Sequence, residues 1–122
     1  MQSALHKPIA TPIYFVKGDG KNQVVTVNGL GEATLAGALI EFRVAAQVGV
    51  AALIQKTSAE PTEISVDVQA GSFTILMLAD DTSELDAGTY VYTIRITLDG
   101  GKPVTVALNN FVLCDTVEEK AA

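Results

Sequence analysis

The feature that most constrains this chain is the run Ser83-Glu84-Leu85-Asp86-Ala87-Gly88-Thr89-Tyr90-Val91-Tyr92-Thr93-Ile94-Arg95-Ile96. It reads as a tight polar turn feeding a long strand. Tyr90, Tyr92, Ile94, Ile96 and Leu98 alternate with Val91, Thr93, Arg95 and Thr97. Side chains that alternate in this way point to opposite faces of a strand, and here one face is apolar enough to be buried. The preceding Asp86-x-Gly88-x-Tyr90 has the spacing of a tyrosine corner, in which the phenol returns to backbone a few residues upstream. The expected corner consists of Asp81, Glu84, Leu85, Asp86, Gly88 and Tyr90. Asp81 and Glu84 would cap one helical turn, with Asp in the place of Ser or Thr. Leu85 would anchor that turn, Gly88 permit the bend and Tyr90 tie it down.

Shorter runs with the same period surround this stretch. Ile13–Lys17 is the first strand candidate, after an expected extended arm over residues 1–11. Gln23–Asn28 alternates, with Val25 and Val27 on one face, and Gly29-Leu30-Gly31 breaks it. Ala38–Ala45 places Ile40, Phe42 and Val44 inward and Glu41 and Arg43 outward. Residues 45–52 leave a hairpin loop and a short helical turn both open. Leu53–Thr57, Ile64–Val68 and Ser72–Leu78 are further strands, the last with Phe73, Ile75 and Met77 on one side. Asp99-Gly100-Gly101 predicts a two-residue hairpin, since Asp-Gly readily takes the positive φ angles of a type I′ turn. In the last strand Val104, Val106 and Leu108 alternate, and a bulge is expected at Asn109-Asn110 before Phe111-Val112-Leu113 resumes. Residues 117–122 form an expected frayed tail. Seven to eight short strands between turn signals predict an all-β antiparallel sandwich over residues 12–116.

At 122 residues the chain is expected to be one domain that needs neither disulfide nor metal to fold. Its net charge is −6, and residues 61–122 hold ten Asp/Glu against three Lys/Arg. That balance argues against nucleic acid and against an anionic membrane, both of which call for clustered Lys and Arg. No stretch is long and apolar enough to span a membrane. The N-terminal residues lack the apolar core of a signal peptide, so synthesis and folding in a cytoplasm are expected. Cys114 is the only cysteine, read as a small buried core residue.

Candidate chemistry is sparse. Asp80, Asp81, Glu84 and Asp86 are the densest set of oxygen ligands, but the Asp-x-Asp-x-Asp-Gly order of a calcium loop is absent. Gly18-Asp19-Gly20-Lys21 lacks the spacing, the Ser/Thr and the following helix of a phosphate loop, and reads as a turn. One His and one Cys make no ordinary zinc site. His6 has no nucleophile motif to join. No catalytic residue, metal or cofactor is therefore expected, and the chain is read as a non-enzyme. Tyr92 stands where antibody domains carry the cysteine two residues after the corner Tyr, so an aromatic would fill that core position.

Ala38-Leu39-Ile40-Glu41-Phe42-Arg43-Val44, the acidic Asp80-Asp81-Thr82, the run Leu85–Gly101, Val104-Thr105-Val106 and Phe111-Val112-Leu113 together resemble the immunoglobulin-like domains of tailed-phage virion proteins. The resemblance is to the N-terminal domain of the upper baseplate protein family and covers residues 13–115. It implies an immunoglobulin-like sandwich and a non-enzymatic role in the virion. The chain carries no receptor-binding or coiled-coil extension after this domain, which directs the expectation to an accessory tail, baseplate or capsid-decoration protein. Expected partners are other virion proteins, either tail/baseplate components or the major capsid protein, and symmetric copies of the chain itself. The alternative is a carbohydrate- or host-surface-binding module on the virion.

Overall fold

The alternating runs become strands because each offers one apolar face to bury and one polar face to solvate. The computed structural model describes residues 12–27 and 35–114. The expected arm, the Gly29–Gly31 break, His6 and the expected tail lie outside those residues. The strands are β1 (Ile13–Val16), β2 (Lys21–Thr26), β3 (Leu39–Ala45), β4 (Ile54–Thr57), β5 (Ile64–Asp67), β6 (Ser72–Met77), β7 (Gly88–Thr97) and β8 (Pro103–Cys114). One short helix, α1 (Ala79–Ser83), lies between β6 and β7.

A large sheet has the order β1-β8-β7-β3-β4 and a small sheet the order β2-β6-β5. β1 runs parallel to β8, and every other pair is antiparallel. Hairpins β3–β4, β5–β6 and β7–β8 stay within a sheet, and the remaining connections cross between sheets. This is the connectivity of an immunoglobulin-like sandwich, with β2, β6 and β5 as the B-E-D layer and β8, β7 and β3 as the G-F-C layer.

The core fills the space between the layers. Ile40, Phe42, Val44, Tyr92, Ile94, Ile96, Phe111 and Leu113 from the large sheet meet Ile64, Phe73, Ile75 and Met77 from the small one. Phe111 stacks on Phe15 with ring centroids 5.8 Å apart and tilts against Phe42 at 6.4 Å. Phe42 also meets Tyr92 at 6.1 Å.

Three local expectations are corrected. The bulge lies at Val106, not at Asn109-Asn110: Ile94 faces Ala107 while Arg95 faces Thr105, and Asn109 and Asn110 pair regularly with Tyr92 and Val91. Val106 and Ala107 are both buried in succession, and Leu108 consequently turns outward. Cys114 is exposed rather than buried, because it follows the inward Leu113 and so falls on the outer face. The β7–β8 turn is not type I′. Only Gly100 has positive φ (76°), and the Gly101 amide donates to the Leu98 carbonyl at 2.7 Å, as in a type II turn. Of residues 45–52, left open by their sequence, Ala45 ends β3 and the rest belong to the loop of the β3–β4 hairpin, which runs through Leu53, expected as the first residue of a strand, and has Gly49 at φ 89°.

Candidate functional site

The corner stretch is built from backbone groups that need partners. Leu78, not Asp81, occupies the N-cap of α1, and Asp81 is three residues in. Its carboxylate reaches back to accept the Leu78 amide at 2.7 Å, the reciprocal half of a capping box. The sequence reading displaced the helix start because Leu78 has no capping side chain to announce it. Glu84 stands at the exposed C-cap position instead of closing the box. Half-buried Leu85 packs against the core and its amide donates to the Thr82 carbonyl at 3.0 Å. The Tyr90 phenol donates to the Asp86 carbonyl at 2.6 Å, so Asp86 acts through its backbone. Gly88 opens β7.

Two residues of this region carry more than their sequence announced. Thr82 is fully buried, and its hydroxyl accepts the Gly18 amide at 2.9 Å. That bond clamps the β1–β2 turn, where Gly18 has φ 84° and β2 follows directly. Lys56 is buried on the inner side of β4, and its ammonium lies 2.7 Å from the Asp81 carboxylate. Strand parity was the available signal: if Ile54 points inward, so does Lys56, and a buried ammonium demands an acid. Of the acidic side chains around α1, the Asp81 carboxylate is the one with framing contacts, and no cluster of three or more metal-type ligands occurs among the described residues.

Two surfaces remain that could meet something else. The small sheet covers only part of the large one, and a groove of about 530 Å³ opens between β1 and β2. Tyr92, Ile94 and Ala107 are among its lining residues, with Tyr14, Gln23 and Thr26. Burial raises the Tyr92 phenol pKa above its ordinary 10.0.

The other surface is the outer face of the large sheet. Across it run the rows Leu108–Thr93–Arg43–Gln55 and Asn110–Val91–Ala45. Leu39, Leu108 and Tyr14 are exposed there, and Val48 and Val50 of the β3–β4 loop stand beside it. Glu41 is the sole acid on this face among the described residues of its strands, and it pairs with Arg43 at 2.9 Å.

These features define an immunoglobulin-like β-sandwich that is tied by a tyrosine corner and presents a sheet face with one acid, Glu41, among the described residues of its strands. No family model matches the chain, and no curated protein matches it. Among solved structures it is similar to Drosophila OTK, extracellular domains 3–5, at 15% identity and a TM-score of 0.39. That alignment covers 91% of this chain and 35% of the OTK structure, so the chain spans about a third of its length.

Proposed function

We propose that this domain is a non-enzymatic structural module of a tailed-phage virion, attached to the particle in multiple copies. The observation that supports an assembly role is the outer face of the large sheet. It exposes Leu39, Leu108 and Tyr14, while nine of the ten acids among the described residues lie elsewhere. Depletion of Asp and Glu on a surface that carries Arg, here Arg43 and Arg95, with aliphatic and aromatic groups is a compositional mark of a protein interface. The virion setting rests on the sequence resemblance carried by Leu85–Gly101 and its flanking strands. Counting this protein in purified particles tests the proposal. Hundreds of copies would place it on the capsid, and small multiples of three or six in the tail or baseplate. Absence from the particles would overturn it. Val91→Arg, which puts a charge on the face, should abolish incorporation while the domain stays folded.

A second reading is a carbohydrate- or host-surface-binding module. The β1–β2 groove favours it, since Gln23, Thr26 and Tyr92 stand among its lining residues. Amide, hydroxyl and phenol groups lining one groove can hydrogen-bond a sugar. Binding of the isolated domain on a glycan array would support this reading, and silence there would remove it.

A further inference from the structure

We infer that the groove between β1 and β2 is occupied by the chain's own residues 8–11, which continue β1 backward along β8 and seat Ile9 against Ala107. The inference is independent of the assembly role proposed above.

The edge of β8 is the first observation. β8 runs over twelve residues, Pro103–Cys114, but β1 pairs only with Phe111–Cys114. Among the described residues no strand pairs with Pro103–Asn110 on that side. The Cys114 carbonyl accepts the Lys17 amide at 2.8 Å, so the even-numbered residues at this end of β8 turn their backbone groups toward β1. Asn110 is one of them, and its amide donates instead to the Asn109 side chain at 2.7 Å. The chain upstream of Ile13 arrives at this edge, because Pro12 already lines the groove.

Register is the second. Ile13 stands opposite Phe111, and a parallel pair advances one residue for one. Continued backward, this register sets Thr11 opposite Asn109 and Ile9 opposite Ala107. Ile13 and Phe15 are the inward residues of β1, so Thr11 and Ile9 fall on the same side. The groove follows that line. Tyr92 and Ile94, the β7 partners of Asn109 and Ala107, line it together with Ala107. Ala107 is the smallest inward residue of β8, and an isoleucine set over it meets Ile94 on one side and Val25 of β2 on the other.

The prolines are the third. The Lys17 amide points at β8, so odd-numbered amides along β1 do the same and even-numbered ones point away. Pro8 and Pro12 are both even-numbered. The N–H that each lacks belongs to the outer edge, where proline is tolerated in a strand. Proline at 9 or 11 would block the pairing. The bulge at Val106 breaks the ladder just past Ala107, before strand parity would turn Lys7 inward. A sugar or any other ligand then reaches the groove only by displacing the chain's own segment.

Amide hydrogen exchange of the full chain, read by NMR, tests the pairing. The Ile9, Thr11 and Leu108 amides should exchange about 100-fold or more slowly than the Ala10 amide, each against its intrinsic rate. Ile9→Asp should bring Thr11 and Leu108 to the Ala10 rate while the amides of β7 stay protected, which shows the sandwich intact. Ala10→Asp, on the outward side, should change none of these rates. In a Cys114→Ser background, Ile9→Cys should react with a maleimide about 10-fold or more slowly than Ala10→Cys. Equal exchange at residues 9, 10 and 11 overturns the inference, as does equal maleimide reactivity. Slow exchange at Ile9 without slow exchange at Leu108 puts the segment on β2 and overturns the pairing. Protection that falls on dilution means that a neighbouring copy supplies the segment, which overturns the assignment to the chain's own residues.

Discussion

The Lys56 ammonium sits 2.7 Å from Oδ2 of Asp81, and the same oxygen accepts the Leu78 amide at 2.7 Å. One carboxylate thereby joins β4, at the edge of the large sheet, to the turn that carries the chain out of the small sheet into β7. The Lys56 side chain is only 8% exposed, so its charge is held largely out of water. Asp81→Ala should cost about 3 kcal/mol, because it strands the buried cation and frees a helix-capping amide. Lys56→Met keeps the stem volume and removes the buried charge, so it should cost less than Asp81→Ala. Urea midpoints of the two variants give the order. A larger loss for Lys56→Met would show that the ammonium is solvated and the pair is a surface contact.

Thr82→Val replaces a buried hydroxyl with a methyl of the same size. The Gly18 amide then loses its acceptor, 2.9 Å away, and stability should fall by about 1–3 kcal/mol. The loss is local in origin, so hydrogen exchange of the Gly18 amide should accelerate more than exchange of amides in β7. Uniform acceleration would place the effect in the core instead.

Tyr90→Phe removes the bond to the Asp86 carbonyl. The ring is half-buried and the bond itself lies at the surface, so the expected cost is about 1 kcal/mol, in the middle of the usual range for one hydrogen bond. An unchanged urea midpoint would mean that packing of Leu85 and Tyr90 holds the corner without the phenol.

Tyr92 makes stability depend on alkaline pH. Its folded-state pKa is raised by burial above the ordinary 10.0, so the native state holds the proton more tightly than the unfolded chain. The stability this contributes is fully present below pH 10.0 and is lost as pH rises from there through the folded-state value. Tyr92→Phe should flatten the fall in urea midpoint above pH 10.0 relative to the parent protein. Parallel profiles for the two proteins would refute the burial argument.

Much of the sandwich was legible because burial alternates within each strand. Ile40, Phe42 and Val44 announce an inner face without reference to any other strand, and Phe73, Ile75 and Met77 do the same. The bulge was legible only as an interval. Val106 and Phe111 both face inward, so parity had to change between them, but the sequence does not say where. The regular pairing of Asn109 with Tyr92 and Asn110 with Val91 moves the extra residue back to Val106. Cys114 was misread through composition. Its parity with Leu113 already pointed outward, while its apolar neighbours suggested a core.

By itself, then, the sequence determined the strand class, the inward faces and the place of the long strand after the acidic turn, because alternation is a property of a single strand. Tertiary structure decided which groups meet. Gly18 and Thr82 are 64 residues apart, and their bond exists only because the β1–β2 turn closes over α1. Lys56 reads as an ordinary strand lysine until folding sets Asp81 beside it. The acid-poor outer face is also a product of strand order, since β8, β7 and β3 contribute alternate residues from distant parts of the chain. Local periodicity says which side of a strand is dry, and only the assembled sheet shows what stands on the wet side and how large a surface it makes.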